Sequence, residues 1–198
     1  MIKFTISEDI IKKCAEFGKA SISSSSDKYA KRNQFDQEKI AKDIKIGKIG
    51  EEMVYEKLSP LFPELSKPDH NIYDKFNKSW DPDLKDLSGI KIAVKSQDFD
   101  SSTFFGDSWV FQFNKGKSYD CDKEIFGESK SLDQNYVAFV SLNVPRKTGI
   151  IQAIVKVSWL HENNMFKDMK KENLRGNKLA VYLDDLNTKK DELWQIKI

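Results

Sequence analysis

Histidine, cysteine and arginine are scarce in this chain of 198 residues, and each scarcity removes a class of chemistry. The two cysteines, Cys14 and Cys121, stand far apart without metal-type spacing, which argues against a disulfide framework and for a reducing compartment. With His70 and His161 the only histidines, a zinc site lacks ligands. Arginine is confined to Arg32, Arg146 and Arg175, so the basic surface is almost all lysine. No run approaches the ~18 apolar residues that would cross a bilayer. The opening MIKFTISEDIIKKC has no long apolar core of the signal-peptide kind. The expectation is a cytoplasmic chain with no membrane partner. The net charge of +2 gives no global basic field, so any contact with nucleic acid must be local. A Walker loop, a GxSxG elbow and an HExxH helix are also missing, which leaves P-loop hydrolysis, serine hydrolysis and zinc proteolysis without support.

What is present suits a folded domain: 39% hydrophobic, 32% charged and 12% aromatic residues. The pattern predicts an N-terminal helix and a basic, serine-rich linker over 1–33, then a single α/β domain over 34–198. Ser7 is placed to cap a first helix carrying Ile10, Ile11, Cys14 and Phe17 at helical spacing. The segment SISSSSDKYAKRNQ reads as a linker whose Lys31 and Arg32 are candidates for touching a DNA backbone. Residues 34–58 predict a second helix. Its Gly47 and Gly50 imply close backbone packing, a kink or a fresh start, since each costs about 1 kcal/mol against alanine within a helix. Proline-rich 59–69 reads as loop. Strands are expected at 70–73, 83–87, 90–94, 108–113, 136–142 and 178–183, with 150–160 as a hairpin partner. Polar 114–133 reads as loop, polar 161–177 as helical in part, and 184–196 as a terminal segment. Helix, then strand meander, then mixed elements points to one central sheet.

Three short stretches carry the chemistry. In GKIGEEMVYEKL, residues 47–58, Gly47, Gly50 and Val54 share one helix face, and paired glycines would let the helix lie against the sheet with Glu51 just after them. Alone, Glu51 and Glu52 read as solvated helix charges. In WDPDLKDLSGIKIAVKS, residues 80–96, Asp81 and Asp83 open an extended segment, Ser88-Gly89 turns it, and Lys95 ends the return. Strand alternation puts Ala93 and Lys95 on one face, with Asp83 across the turn. Alone, this reads as a polar hairpin with a snorkelling lysine. The stretch 165–178 gathers Lys170, Lys171 and Arg175, a solvent-facing charge run that is also the best candidate for a phosphate-contacting patch.

Together, GKIGE (47–51), WDPDL (80–84) and IAVKSQ (92–97) resemble the motifs of the PD-(D/E)xK nuclease superfamily, the restriction-endonuclease-like fold. The resemblance covers about residues 36–113. It implies an α/β core with a central mixed sheet flanked by helices, the N-terminal helix and linker being appended. It implies Mg²⁺, or Mn²⁺ in its place, as cofactor and DNA as partner. Carried over by position, Asp83 matches the metal-binding aspartate, and Lys95 the lysine that positions or activates the attacking water. Glu51 matches the acidic residue of the first core helix, and Gln97 a polar residue near the scissile phosphate. Ala93 departs from the pattern, standing where the family carries Asp or Glu. Glu51 or Asp81 is placed to replace that carboxylate.

The expected function is Mg²⁺-dependent hydrolysis of DNA phosphodiester bonds, with a homodimer as the simplest way to cut two antiparallel strands. Ala93 supports an alternative, a nuclease fold without catalysis that binds DNA or a protein. An interaction protein of unrelated mixed fold is the third reading.

Overall fold

The computed structural model describes residues 1–22, 35–73, 82–113, 134–170, 172 and 178–196. In chain order its elements are β1 (Ile2–Thr5), α1 (Glu8–Ala20), α2 (Gln37–Leu58), β2 (Leu84–Lys85), β3 (Lys91–Asp98), α3 (Phe99–Phe105) and β4 (Ser108–Gln112). There follow β5 (Asn135–Asn143), β6 (Thr148–Lys156), α4 (Val157–Glu162), β7 (Lys167–Asp168), β8 (Lys178–Tyr182), α5 (Leu183–Asn187) and a 3₁₀ turn (Lys190–Glu192). The architecture is α/β. A five-stranded sheet of order β1-β6-β5-β3-β2 is mixed, because β3 and β5 run parallel while the other neighbours run antiparallel. A second sheet of order β4-β8-β7 is antiparallel.

Both long helices begin where a side chain takes up a free backbone N–H. Ser7 Oγ accepts from Ile10 N–H at 3.3 Å, and Asp36 Oδ1 accepts from Lys39 N–H at 3.0 Å. Helix α2 then runs unbroken for 22 residues through both glycines. Close packing, rather than a kink or a restart, is therefore what the glycines provide, and only one of them provides it. A Cβ on Gly50 would lie 1.8 Å from Ser96 Oγ and 3.1 Å from Ser96 Cβ, whereas one on Gly47 would meet nothing within 4 Å among the described residues.

Each face of the large sheet buries its own apolar layer. On one, Ile49, Met53, Val54 and Leu58 of α2 cover Ile92, Val94, Ala138 and Val140. Phe4, Ile6 and Cys14 join that layer, so residues 1–22 are built into the core, with β1 paired to β6. On the other face, Val137, Phe139, Ala153 and Val155 meet Trp109, Phe111 and Val181 of the small sheet. The β5–β6 register shifts between Phe139 and Val140, and Gln152 is the extra residue. There the Val140 carbonyl accepts the Trp109 indole N–H at 3.0 Å, which ties the two sheets together.

Several expectations are corrected. Residues 70–73 are irregular and have no strand partner among the described residues; the His70 side chain instead bonds Glu52 of α2. The strand expected at 83–87 is only Leu84–Lys85, closed by Asp86, which accepts Ile90 N–H at 2.9 Å. Strand β3 extends four residues past 94, held by β5. The hairpin partner stops at Lys156 and turns into α4. Most of the serine-rich linker and the loop at 114–133 lie outside the described residues. No helix among the described residues is long and apolar enough to cross a membrane.

Gly50→Ala should lower the melting temperature, although alanine is the better helix former, because its methyl meets Ser96. Adding Ser96→Ala should recover most of the loss. Gly47→Ala, with open space around it, should raise the melting temperature by the equivalent of up to about 1 kcal/mol. Thermal denaturation of the four proteins checks this, and equal effects at the two glycines would contradict the packing described.

Candidate active site

Gly50 brings α2 onto β3, and the next residue carries the first candidate group. Glu51 is only 8% exposed, and Lys48, one turn earlier, donates to its Oε2 at 2.5 Å. Its carboxyl is pushed up to about 8, first by burial and then by the negative charge of Asp83, with Lys48 opposing both. Glu51 and Asp83 therefore lie within each other's field.

Asp83 is held from the other side. Its Oδ2 accepts the backbone N–H of Val94 at 2.7 Å. The β2–β3 pairing sets Leu84 opposite Ile92, and one further step puts Asp83 level with Ala93. The residues between them fix this geometry. Gly89, at φ +95°, makes the turn that only glycine enters readily, and Asp86 accepts Ser88 Oγ–H at 2.8 Å.

Strand alternation then divides β3 between two environments. Val94 and Ser96 point toward α2, where Val94 belongs to the helix-side layer and Ser96 meets Gly50. Ala93 packs against the aromatic layer of the opposite face. Lys95 follows Ala93, with its Nζ 5.0 Å above the Phe111 ring. Gln97 is occupied in holding the backbone: its Nε2 donates to Gly106 O at 3.1 Å and its Oε1 accepts Ser108 N–H at 2.7 Å. It clamps the turn into β4 to the end of β3.

The structure thus brings Glu51 and Asp83 together and places Lys95 on the Ala93 face of the same strand. Asp81, Lys31, Arg32, Lys171 and Arg175 lie outside the described residues. Lys170 is at the surface, 4.6 Å above the Tyr182 ring. Among the described residues, no three His, Cys, Asp or Glu side chains form a group poised around one point. A divalent cation would have two carboxylates, Glu51 and Asp83, and the donor type suits Mg²⁺, which takes oxygen ligands. Glu51, kept in its proton-holding range by burial and by Asp83, is the group that such a cation would relieve.

Two features escaped the sequence reading. Lys48 is the partner of Glu51, and the i,i+3 spacing on a helix was the available signal. On the adjoining side of α2, Glu52 Oε1 takes hydrogen bonds from Lys13 Nζ and His70 Nε2, both at 2.6 Å. Burial works to raise the Glu52 pKa, but these two bonds outweigh it and hold the carboxyl below its usual range. The Phe17 ring sits edge-on to His70 with centroids 5.2 Å apart. No local sequence signal joins residues 13, 52 and 70, which meet only through the packing of α1 on α2.

Comparison of the chain with family models, with curated proteins and with solved structures gave no match.

The Glu51 carboxyl generates a pH prediction. Between its ordinary 4.5 and about 8, the folded protein keeps a proton that the unfolded chain releases. The contribution of this group to stability therefore falls as pH rises through that window and levels off above it. Glu51→Gln removes the dependence. Its melting temperature should match that of the native chain near pH 5 and exceed it by several degrees at pH 8–9. Thermal melts across that range check it, and a difference independent of pH would contradict the burial of a titrating Glu51.

Proposed function

We propose that the chain is a metal-dependent nuclease with a restriction-endonuclease-like core that hydrolyses phosphodiester bonds in DNA. The observation that carries this reading is the pairing of a buried helix carboxyl, Glu51, with an anchored hairpin carboxylate, Asp83, beside the strand that bears Lys95. The motif at 47–51 lies within α2, and the motif at 92–97 lies within β3.

In this reading Glu51 and Asp83 hold the cation, which would polarise a phosphate oxygen and lower the pKa of bound water. The Val94 N–H orients Asp83 by holding one of its carboxylate oxygens. Lys48 offsets the charge of Glu51. Lys95, on the face shared with Ala93, would carry its ammonium toward the attacking water and the phosphate. Gln97 positions the β4 wall of the site through Gly106 and Ser108.

A second reading, a nuclease fold that binds without cutting, is favoured by one observation. Ala93 sits where a further carboxylate would be needed and packs into the aromatic layer instead.

The test is a cleavage assay on supercoiled, linear and branched DNA with Mg²⁺ or Mn²⁺. Metal-dependent cutting by the native chain is expected, with Asp83→Asn and Lys95→Ala each lowering the rate by at least about 100-fold, on the scale of lost general acid–base or charge-stabilising groups. Asn keeps an oxygen for the Val94 N–H, which protects the hairpin. Folded protein that retards DNA in a gel and cuts no substrate would replace this reading with the binding module.

A further inference from the structure

Past the small sheet, at the Gln97 end of β3, a groove of about 770 Å³ opens among the described residues. It lies beyond the carboxyl ends of the parallel strands β3 and β5, the place where open α/β sheets receive ligands. Its volume is that of a small-molecule site. Gln97 forms one wall, held rigid by its two bonds to the turn at Gly106 and Ser108. Phe99, 53% exposed, lines the groove beside Gln97, and Thr148 lines it from β6.

The informative group is Gln152, the extra residue of the β-bulge, which also lines the groove. It is only 5% exposed, and its Nε2 donates to Ser141 Oγ at 3.2 Å. Its Oε1 has no hydrogen-bond partner among the described residues. A buried acceptor left unmet is costly, so it calls for a donor from outside the chain. Ser141 Oγ, having accepted from Gln152, keeps its own hydrogen to donate. An acceptor and a donor therefore stand side by side on the groove floor, next to an aromatic ring. That set fits the edge and the face of an uncharged, planar, hydrogen-bonding ring.

We propose that this groove binds one nucleobase of a single-stranded or unpaired stretch of nucleic acid. Gln152 and Ser141 would read the base edge, and Phe99 would stack on its face. The choice of a base over another planar amide-like ligand rests on the proposed nuclease reading. Gln97 lies two residues beyond Lys95 on one face of β3, about 7 Å along the strand. A base in the groove would thus leave its own phosphate near Lys95. The preferred substrate is then DNA with unpaired nucleotides rather than perfect duplex.

The test is calorimetric titration of the full chain with each of the four 2′-deoxynucleosides and with 2′-deoxyribose 5-phosphate. Nucleosides are expected to bind and the sugar phosphate is not. Gln152→Met, close in volume, removes the unmet acceptor. Thr148→Trp fills the groove from an exposed position and leaves the core intact. Each should weaken nucleoside binding by about tenfold or more. Asp83→Asn, outside the groove, should leave it unchanged. The inference is overturned if no nucleoside binds up to millimolar concentration, if the sugar phosphate binds as tightly, or if neither groove variant changes the affinity. Nucleoside binding in a chain that cuts nothing would remove the nuclease reading and keep the groove. Cutting without nucleoside binding would do the reverse.

Discussion

The contact between Gly50 of α2 and Ser96 of β3 is the constraint on which the rest of the structure depends. A methyl group at Gly50 would stand 1.8 Å from the serine oxygen, so the helix axis can come this close only because that side chain is missing. The approach seals Ile49, Met53 and Val54 over Ile92 and Val94, and each such buried side chain contributes roughly 1.5–3 kcal/mol. It also turns Glu51, which would be a solvated charge on a helix set farther out, into a buried one. The altered acidity of Glu51 follows from backbone packing one residue away.

Strand β3 joins the two halves of the molecule because its faces do different work. Toward α2 it presents Val94 and Ser96, which pack. Away from α2 it presents Ala93, Lys95 and Gln97, which run from the aromatic layer to the open groove. Gln97 marks the boundary between covered and uncovered sheet, since its amide fastens the first residues of β4. Trp109 secures the same sheet to β5 from within, through the carbonyl that the bulge leaves free. The bulge has a second consequence: it brings Gln152 to the floor of the groove, on a strand whose regular alternation would otherwise continue an apolar layer.

How far this was legible follows the range of the forces involved. Helices α1 and α2 were readable because their caps and apolar spacing are local, and β3, β5 and β6 because their apolar runs are long. Gly50 was readable as a close-packing residue, but Gly47 was not distinguishable from it, since the difference lies in what stands opposite and not in the helix. Strand β1 was missed because four residues give no usable period, and its pairing partner is far along the chain. The stretch 70–73 has no strand to pair with among the described residues, and His70 instead bonds Glu52. Glu51, Asp83 and Lys95 were singled out by their motifs. The bonds of Gln97 to Gly106 and Ser108 were not legible, because those backbone groups meet it only in the folded chain.

Ala93 is then best understood through charge. A carboxylate at that position would stand level with Asp83 and add a third negative charge to a pair that already repels. Burial and Asp83 together hold the Glu51 carboxyl up to about 8, so at neutral pH the pair keeps a proton and Lys48 balances much of what is left. The alanine lowers the repulsion and lets the apolar layer extend under the strand. In the proposed nuclease, the cost is that cation binding must displace the proton on Glu51. Affinity for the cation should then rise with pH up to about 8 and level off, because ligands must be deprotonated to bind. A carboxylate at position 93 would push the Glu51 carboxyl higher still and strengthen this coupling. The same alanine that leaves the cation one ligand fewer therefore also eases the repulsion on the two carboxylates that remain.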